Sequence, residues 1–265
     1  MSFLKLENKK FLITGVANKK SVAYFAAKTL LENGADCLFT VLNEETKQKV
    51  EKLFPDKKIY LVNVEKTDEI NELGRVLLSE KIILDGFLHS IAFANYSEGM
   101  KPFHETSLPD YLQATNISCF SLVSLSKSLK PVLALDSSVV TISISSTKAT
   151  NYGYMGPIKA ALDATILFLA KSFSLDSKVR FNAVCAGPLK TSASAGIPGY
   201  IDNYLFAEQL TMRHQALETQ EVANTVVFLL SPASSGITAS GVVVDAGMSS
   251  NYFDEKVVAS FAKND

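Results

Sequence analysis

Phe11-Leu-Ile-Thr14 runs straight into Gly15-Val-Ala-Asn-Lys-Lys-Ser-Val-Ala23, and the residues beyond it, to Leu31, alternate as an amphipathic helix that closes at Asn33-Gly34. A short uncharged apolar run reads as a strand buried on both faces, and the small residues behind it as a tight turn into a helix. Gly15 turns without steric cost, and Ser21 has the side chain of a helix N-cap. Such a turn lets backbone N–H groups approach an anion at the positive end of the helix. It equally suits an ordinary strand-to-helix connection, since two glycines of G-x-G-x-x-G are absent.

The rest of the chain repeats this unit. Cys37-Leu-Phe-Thr-Val41, Ile59-Tyr-Leu-Val62, Gly86-Phe-Leu-His-Ser-Ile91, Ser138-Val-Val-Thr-Ile-Ser-Ile144, Val179-Arg-Phe-Asn-Ala-Val184 and Gly241-Val-Val-Val244 read as further strands. Helical patterns separate them: one ending at Val50, one over 68–78, a long one from Pro109 to Leu129, one over 156–173, and two near Tyr200 and Glu221. Seven apolar runs alternating with helices predict a single doubly wound, Rossmann-type α/β domain over residues 1–265. Its sheet should be seven-stranded and parallel, with helices on both faces. No linker, repeat or low-complexity tract divides it.

Composition narrows the function classes. With 47% hydrophobic and 20% charged residues, the chain is neither disordered nor collagen-like. Its 26 basic and 27 acidic residues leave a net charge of −1, no footprint for nucleic acid or an anionic membrane. The longest uncharged stretch, Val222 to Val244, is broken by Ser231-Pro-Ala-Ser-Ser-Gly236 and should not span a bilayer. Cys37, Cys119 and Cys185 lie far apart in apolar runs and read as reduced, buried thiols. His89, His104 and His214 have no metal-ligand spacing, so no metal is expected. The N-terminus mixes charges without an apolar core, unlike a signal peptide, and a soluble cytoplasmic protein is expected.

In a doubly wound sheet, ligands bind outside the carboxyl ends of the strands. Two later turns should lie on the same edge as the first: His89-Ser-Ile-Ala-Phe-Ala94 and Asn182-Ala-Val-Cys-Ala-Gly-Pro-Leu-Lys-Thr191. With these motifs the chain resembles the short-chain dehydrogenase/reductases, and within them the NADH-dependent enoyl-acyl-carrier-protein reductases. That family's G-V-A-x-x-x-S-[IV]-A is matched by Gly15 to Ala23, its H-S-[IV]-[GA]-F-A by His89 to Ala94, and its N-A-[IV]-[SC]-A-G-P-[IL]-[RK]-T by Asn182 to Thr191. The terminal V-D-[GA]-G is Val244 to Gly247, so the resemblance covers nearly the whole chain.

The resemblance implies a nicotinamide cofactor. It assigns the pyrophosphate turn to Gly15, Ser21 and Val22, the adenine to Asn63 and Val64, the ribose to Ile91, and the nicotinamide to Leu189, Lys190, Thr191, Ser192 and Ala193. Leu42 falls beside the adenosine ribose, where it cannot hydrogen-bond the 2′-hydroxyl. Glu44 and Glu45 would repel a 2′-phosphate and no Arg lies near, which favours NADH over NADPH. Ala94 and Ser145 fall at the substrate, and a segment at about 189–212 is expected to form a lid. The resemblance also implies a homotetramer acting on an enoyl thioester carried by acyl carrier protein.

Hydride transfer to an enoyl thioester places negative charge on the thioester oxygen, which needs a preorganised donor. A tyrosine hydroxyl beside a lysine ammonium suits this, because the cation favours the ionised phenol and orients the cofactor. Asn151-Tyr-Gly-Tyr-Met-Gly-Pro-Ile-Lys159 holds the candidates, and Tyr152-x6-Lys159 matches the enoyl reductase variant, with Lys159 also on the cofactor. Helical phase agrees: at roughly 100° per residue, seven residues return to within about 20° of the starting face, whereas Tyr154 lies about 140° from Lys159. Pro157 belongs in a first turn, so Tyr152 precedes the regular helix if Pro157 starts it. Asn116, inside the long fourth helix, suits either a held water or a backbone hydrogen bond.

Two features depart from the family. A second tyrosine expected at the end of the fifth strand is absent, and Thr141-Ile-Ser-Ile-Ser-Ser-Thr-Lys-Ala-Thr150 offers Ser143, Ser145, Ser146 and Thr147 instead. Ile197 to Tyr204 also lacks the basic residues that would meet an acidic carrier protein, leaving Lys190 and Arg213 as the nearest cations. The serines keep open a reductase of ketones or 3-ketoacyl thioesters, and a pocket-damaged binding paralogue is a third reading.

Overall fold

The computed structural model describes residues 2–146 and 148–261. Seven strands form one sheet: β1 (Lys10–Thr14), β2 (Asp36–Val41), β3 (Ile59–Leu61), β4 (Leu84–His89), β5 (Leu133–Ile144), β6 (Arg180–Ala186) and β7 (Ser240–Val244). Every pairing is parallel, in the order β3-β2-β1-β4-β5-β6-β7. The chain winds outward from β1 on one side and from β4 on the other, so the strand order reverses between these two. This is the expected doubly wound sheet.

The helices are α1 (Val22–Glu32), α2 (Glu44–Leu53), α3 (Thr67–Ser79), α4 (Leu108–Thr115), α5 (Ser121–Leu129), α6 (Met155–Phe173), α7 (Ser192–Ala195), α8 (Tyr200–Leu210), α9 (Thr219–Leu230) and α10 (Glu255–Phe261). They divide over two apolar cores, and the two-residue side-chain period of the strands feeds both. In β1, Leu12 joins Leu73, Leu122 and Leu162 on one face, while Phe11 and Ile13 join Ala26, Leu30 and Val226 on the other. Phe87 and Leu88 of β4 divide in the same way.

Three departures from the sequence reading have physical causes. The long fourth helix is interrupted: between α4 and α5 the residues Asn116–Phe120 form a π-helical segment, a local over-wide turn that periodicity cannot reveal. β5 begins earlier than expected, at Leu133, and bulges against β4 between its pairings at Leu84 and Gly86. Its polar, exposed Asp136 neighbourhood hid that extension. β7 is an edge strand whose Val243 is 52% exposed, so the sheet is not covered on both faces to its end.

Arg180, at the start of β6 and 7% exposed, ties β6 to the end of α9. Its guanidinium donates to the carbonyls of Leu229, Ser231 and Ser234 at 3.2, 3.0 and 3.0 Å and to the Ser234 hydroxyl at 2.8 Å. A helix C-terminus presents carbonyls without intrahelical donors, and a cation there also meets the negative end of the dipole. Among the described residues no helix is long and apolar enough to cross a membrane.

Candidate active site

Because all the strands run one way, the segments that follow β1, β2, β3, β4, β5 and β6 open on one edge of the sheet. They carry every residue assigned to the site from sequence. At the reversal point Gly15 has φ +85°, and a Cβ there would sit 1.9 Å from the carbonyl oxygen of Ser90. Only glycine lets the β1 turn lie this close to the end of β4. Thr14 ties the two strands together, donating to Leu88 O at 2.9 Å and accepting from the Ser90 N–H at 3.2 Å.

Ser21 is the N-cap of α1, and its hydroxyl accepts from the Tyr24 N–H at 3.2 Å. The Val22 and Ala23 N–H groups are first-turn donors without an intrahelical partner. No acidic residue lies in that first turn, whereas α2 carries Glu44 and Glu45 and α3 carries Asp68 and Glu69. The donor set fits an anionic pyrophosphate. Leu42, just past β2, is 59% exposed. Past β3, the Asn63 N–H donates to Glu69 at 2.7 Å and the Asn63 side chain accepts from the Glu65 N–H at 2.9 Å. That turn leaves Asn63 and Val64 on the same edge.

The segment after β4 carries Ile91 and Ala94, and the π-helical segment holds it. Ser118 accepts from the Phe93 N–H at 2.9 Å and donates to the Phe93 carbonyl at 3.0 Å, so one hydroxyl satisfies both backbone groups. His89 is 1% exposed and bridges Thr141 Oγ1 through Nδ1 and Ser121 Oγ through Nε2, both at 2.8 Å. Ser121 itself donates to Ile117 O at 2.6 Å, so Nε2 carries the proton and Nδ1 accepts from Thr141. Burial pushes the imidazole down to about 3, with the Lys159 charge adding to the effect.

Tyr152 ends a short 3-10 turn, Thr150–Tyr152. Gly153, at φ +55° and ψ −151°, separates that turn from α6, whose first turn includes Pro157. Tyr152 and Lys159 therefore do not share a helix, and the argument from helical phase does not apply. Tyr154 caps α6 instead: it is 7% exposed, donates to Asn95 O at 2.9 Å and packs on Tyr96 and Tyr111.

Lys159 is 4% exposed and donates to Ile142 O at 2.8 Å. Burial lowers its ammonium to about 8, against the opposing pull of Asp163 and of the Cys119 and Cys185 thiols. The Tyr152 phenol is pushed up by burial first and then by the Tyr200 and Tyr96 phenols. Lys159 is turned to the β5 backbone, and the Tyr152 phenol is pushed up and not down, by burial first. Tyr152 stays a protonated hydroxyl.

Ser145 follows β5 directly and its N–H donates to Ala186 O at 2.8 Å. Ser143 is 2% exposed and buried beside Asp163, so it faces α6 rather than the site. Past β6, Leu189 is 7% exposed, and both its backbone groups meet the Tyr200 hydroxyl: the N–H donates at 2.8 Å and the carbonyl accepts at 2.9 Å. Ser194 closes a turn over the same stretch, accepting from the Thr191 N–H at 2.9 Å and donating to Leu189 O at 2.8 Å. Ser192 and Ala193 open α7. Their side chains, and the whole of Thr147, lie outside the described residues.

Comparison with known proteins decides the family. The family model described as "Enoyl-(Acyl carrier protein) reductase" matches residues 15–249. The chain belongs to the enoyl-acyl-carrier-protein reductase family. It is 33% identical over 251 residues to the enoyl-acyl-carrier-protein reductase (NADPH) FabI of Staphylococcus aureus, covering 92% of this chain and 98% of that protein. It is 35% identical over 254 residues to the enoyl-acyl-carrier-protein reductase (NADH) FabI of Nostoc, covering 92% and 97%. The crystal structure of the enoyl-acyl-carrier-protein reductase (NADH) of Aquifex aeolicus superposes with a TM-score of 0.88 at 31% identity, covering 94% of this chain and 98% of that one.

Several residues of this reductase site escape sequence reasoning. Ser118 and Ser121 need the π-helical geometry to reach Phe93 and His89. Tyr96 and Tyr200, distant in sequence, approach Tyr152 only in the fold. The two cations nearest the lid are both engaged. Arg213 makes two 2.6 Å contacts with Glu221, holding that carboxyl down at about 2. Lys190 lies over the Tyr204 ring, 4.5 Å from its centroid.

Proposed function

We propose that the protein is an NADH-dependent enoyl thioester reductase of fatty-acid synthesis, saturating the 2,3 double bond of an acyl chain on acyl carrier protein. The observation that carries this reading is one edge of the sheet that takes the anion-binding turn at α1, the Leu189 stretch beyond β6 and Tyr152 together. NADH held at this edge would supply a hydride to the β-carbon. Tyr152 then serves the oxygen that gains charge: a phenol kept protonated by burial is a donor, and a donor aimed at a developing enolate stabilises it. Ile91 and Ala94 flank Phe93, whose backbone Ser118 holds, and would line the pocket. Lys159, where protonated, would hold the nicotinamide ribose.

Exposed Leu42, with Glu44 and Glu45 opening α2, supports NADH over NADPH, since a 2′-phosphate there would meet carboxylates and no guanidinium. The segment at about 189–212 serves as a lid, with Ile201, Leu205 and Phe206 exposed on α8 to meet an acyl chain. The same reading makes the enzyme a cytoplasmic homotetramer. Leu167 and Phe168 of α6, Phe120 of the π-helical segment and Val243 of β7 are apolar and at least half exposed, as surfaces covered by a second copy would be.

The test is the loss of NADH absorbance on adding a medium-chain 2-enoyl thioester. Turnover with NADH well above that with NADPH is expected. No turnover with any enoyl thioester, or turnover with 3-ketoacyl thioesters alone, overturns the reading.

A further inference from the structure

Tyr200 and Tyr204 stand one turn apart on α8, and each holds one of two consecutive residues beyond β6. The Tyr200 hydroxyl accepts from the Leu189 N–H at 2.8 Å and donates to the Leu189 carbonyl at 2.9 Å. Tyr204, 6% exposed, lies under the Lys190 ammonium at 4.5 Å. Positions four apart share a helix face, so the two tyrosines act together as one two-point contact.

The chemistry of the first contact matters. One residue's N–H and C=O offer a donor and an acceptor side by side, a pattern complementary to a primary carboxamide, which has one acceptor oxygen and an NH2 donor. A hydroxyl, able to donate and accept, can fill both as well. Tyr200 fills both here; the Leu189 carbonyl also accepts from Ser194 Oγ at 2.8 Å and from the Thr191 N–H at 3.1 Å, so the N–H is the group that Tyr200 alone occupies.

We propose that Tyr200 is a latch that competes with the cofactor's nicotinamide carboxamide for the Leu189 backbone, so that the nicotinamide seats only when α8 lets go. The inference rests on the reading of this edge as a nicotinamide site. It goes beyond that reading by making α8 a brake on cofactor binding as well as a cover for substrate. The latched state has no free donor at Leu189, and apparent affinity falls by the fraction of molecules latched. Tyr204 and Lys190 add a cation–π contact that favours the same closed arrangement. The adenosine half of the cofactor, bound at the α1 turn and beside Asn63, does not touch the latch.

That separation provides the test. The dissociation constants of NADH and of ADP-ribose, which lacks the nicotinamide, are measured by calorimetry for the wild-type protein and for Tyr200→Phe. Phenylalanine keeps the ring and its packing but can neither donate nor accept. NADH is expected to bind the variant roughly three- to tenfold more tightly, the scale of one net hydrogen bond. ADP-ribose should bind both proteins alike. Tyr204→Leu should shift NADH in the same direction by a smaller factor. Unchanged or weaker NADH binding by Tyr200→Phe overturns the latch, as does an equal shift for ADP-ribose, which would report a general loosening of the fold. If the wild-type protein binds neither molecule, the cofactor-site reading itself fails and the latch fails with it.

Discussion

Tyr152 and Lys159 carry the chemistry in this account, and each makes a separate demand on experiment. Tyr152→Phe removes one oxygen and should lower kcat for enoyl reduction by about 10²–10⁴-fold, the usual worth of a positioned proton donor, with little change in NADH affinity. Activity within a factor of a few of the wild-type rate would transfer the donor role to another hydroxyl. Lys159 loses its proton at about pH 8 instead of near 10.5, because burial disfavours its charge. If its charge is needed, kcat/KM should fall as pH rises through about 8, and a profile flat to pH 10 would remove Lys159 from the mechanism. His89 acts on stability instead. Its folded-state value of about 3 lies below the ordinary 6.5, so the unfolded chain binds the extra proton in between. Stability is then full above pH 6.5 and declines below it, by about 1.4 kcal/mol per pH unit at most. Between pH 6.5 and 5, above the carboxylate range, urea midpoints should fall in the wild-type protein and stay level in His89→Gln.

At the scale of elements, the β1 turn and the π-helical segment do the positioning. A methyl group on Gly15 would occupy the same space as Ser90 O and would need a positive φ besides, so Gly15→Ala must push the ends of β1 and β4 apart, where the account puts the cofactor. A loss of about 1–3 kcal/mol in urea unfolding is expected together with at least tenfold weaker ADP-ribose binding. Wild-type binding by that variant would place the pyrophosphate elsewhere. How much of this was legible in the sequence depends on the kind of signal. The strands were legible as short apolar runs, most of them with β-branched residues, and Gly15 and Ser21 because they stand where a turn and a cap must. The break at Asn116–Phe120 was not, since a π turn leaves the apolar pattern of a long helix intact. The separation of Tyr152 from α6 was signalled by Pro157, which stands in the helix's first turn, while the backbone angles of Gly153 that produce it were not legible. The tyrosine latch was out of reach because it joins side chains to backbone groups, and backbone donors leave no trace in a list of residues.

At the scale of the whole molecule, a parallel sheet brings the segments after β1, β2, β3, β4, β5 and β6 to one edge, where the account puts the residues from Gly15 to Tyr200. The same topology leaves the outer face of α6 and the β7 edge apolar and open. Sedimentation at micromolar concentration should give a species of four chains, and a monomer would leave Phe168 and Val243 without a cover. The central claim concerns where the hydride goes, and isotope placement tests it most directly. The protein is given NADH carrying deuterium at the transferable C4 position, with a 2-enoyl thioester in ordinary water. The account predicts a saturated thioester with deuterium at C3 and a solvent proton at C2. An unlabelled acyl chain, or deuterium delivered only to the carbonyl carbon of a 3-keto analogue, would contradict it.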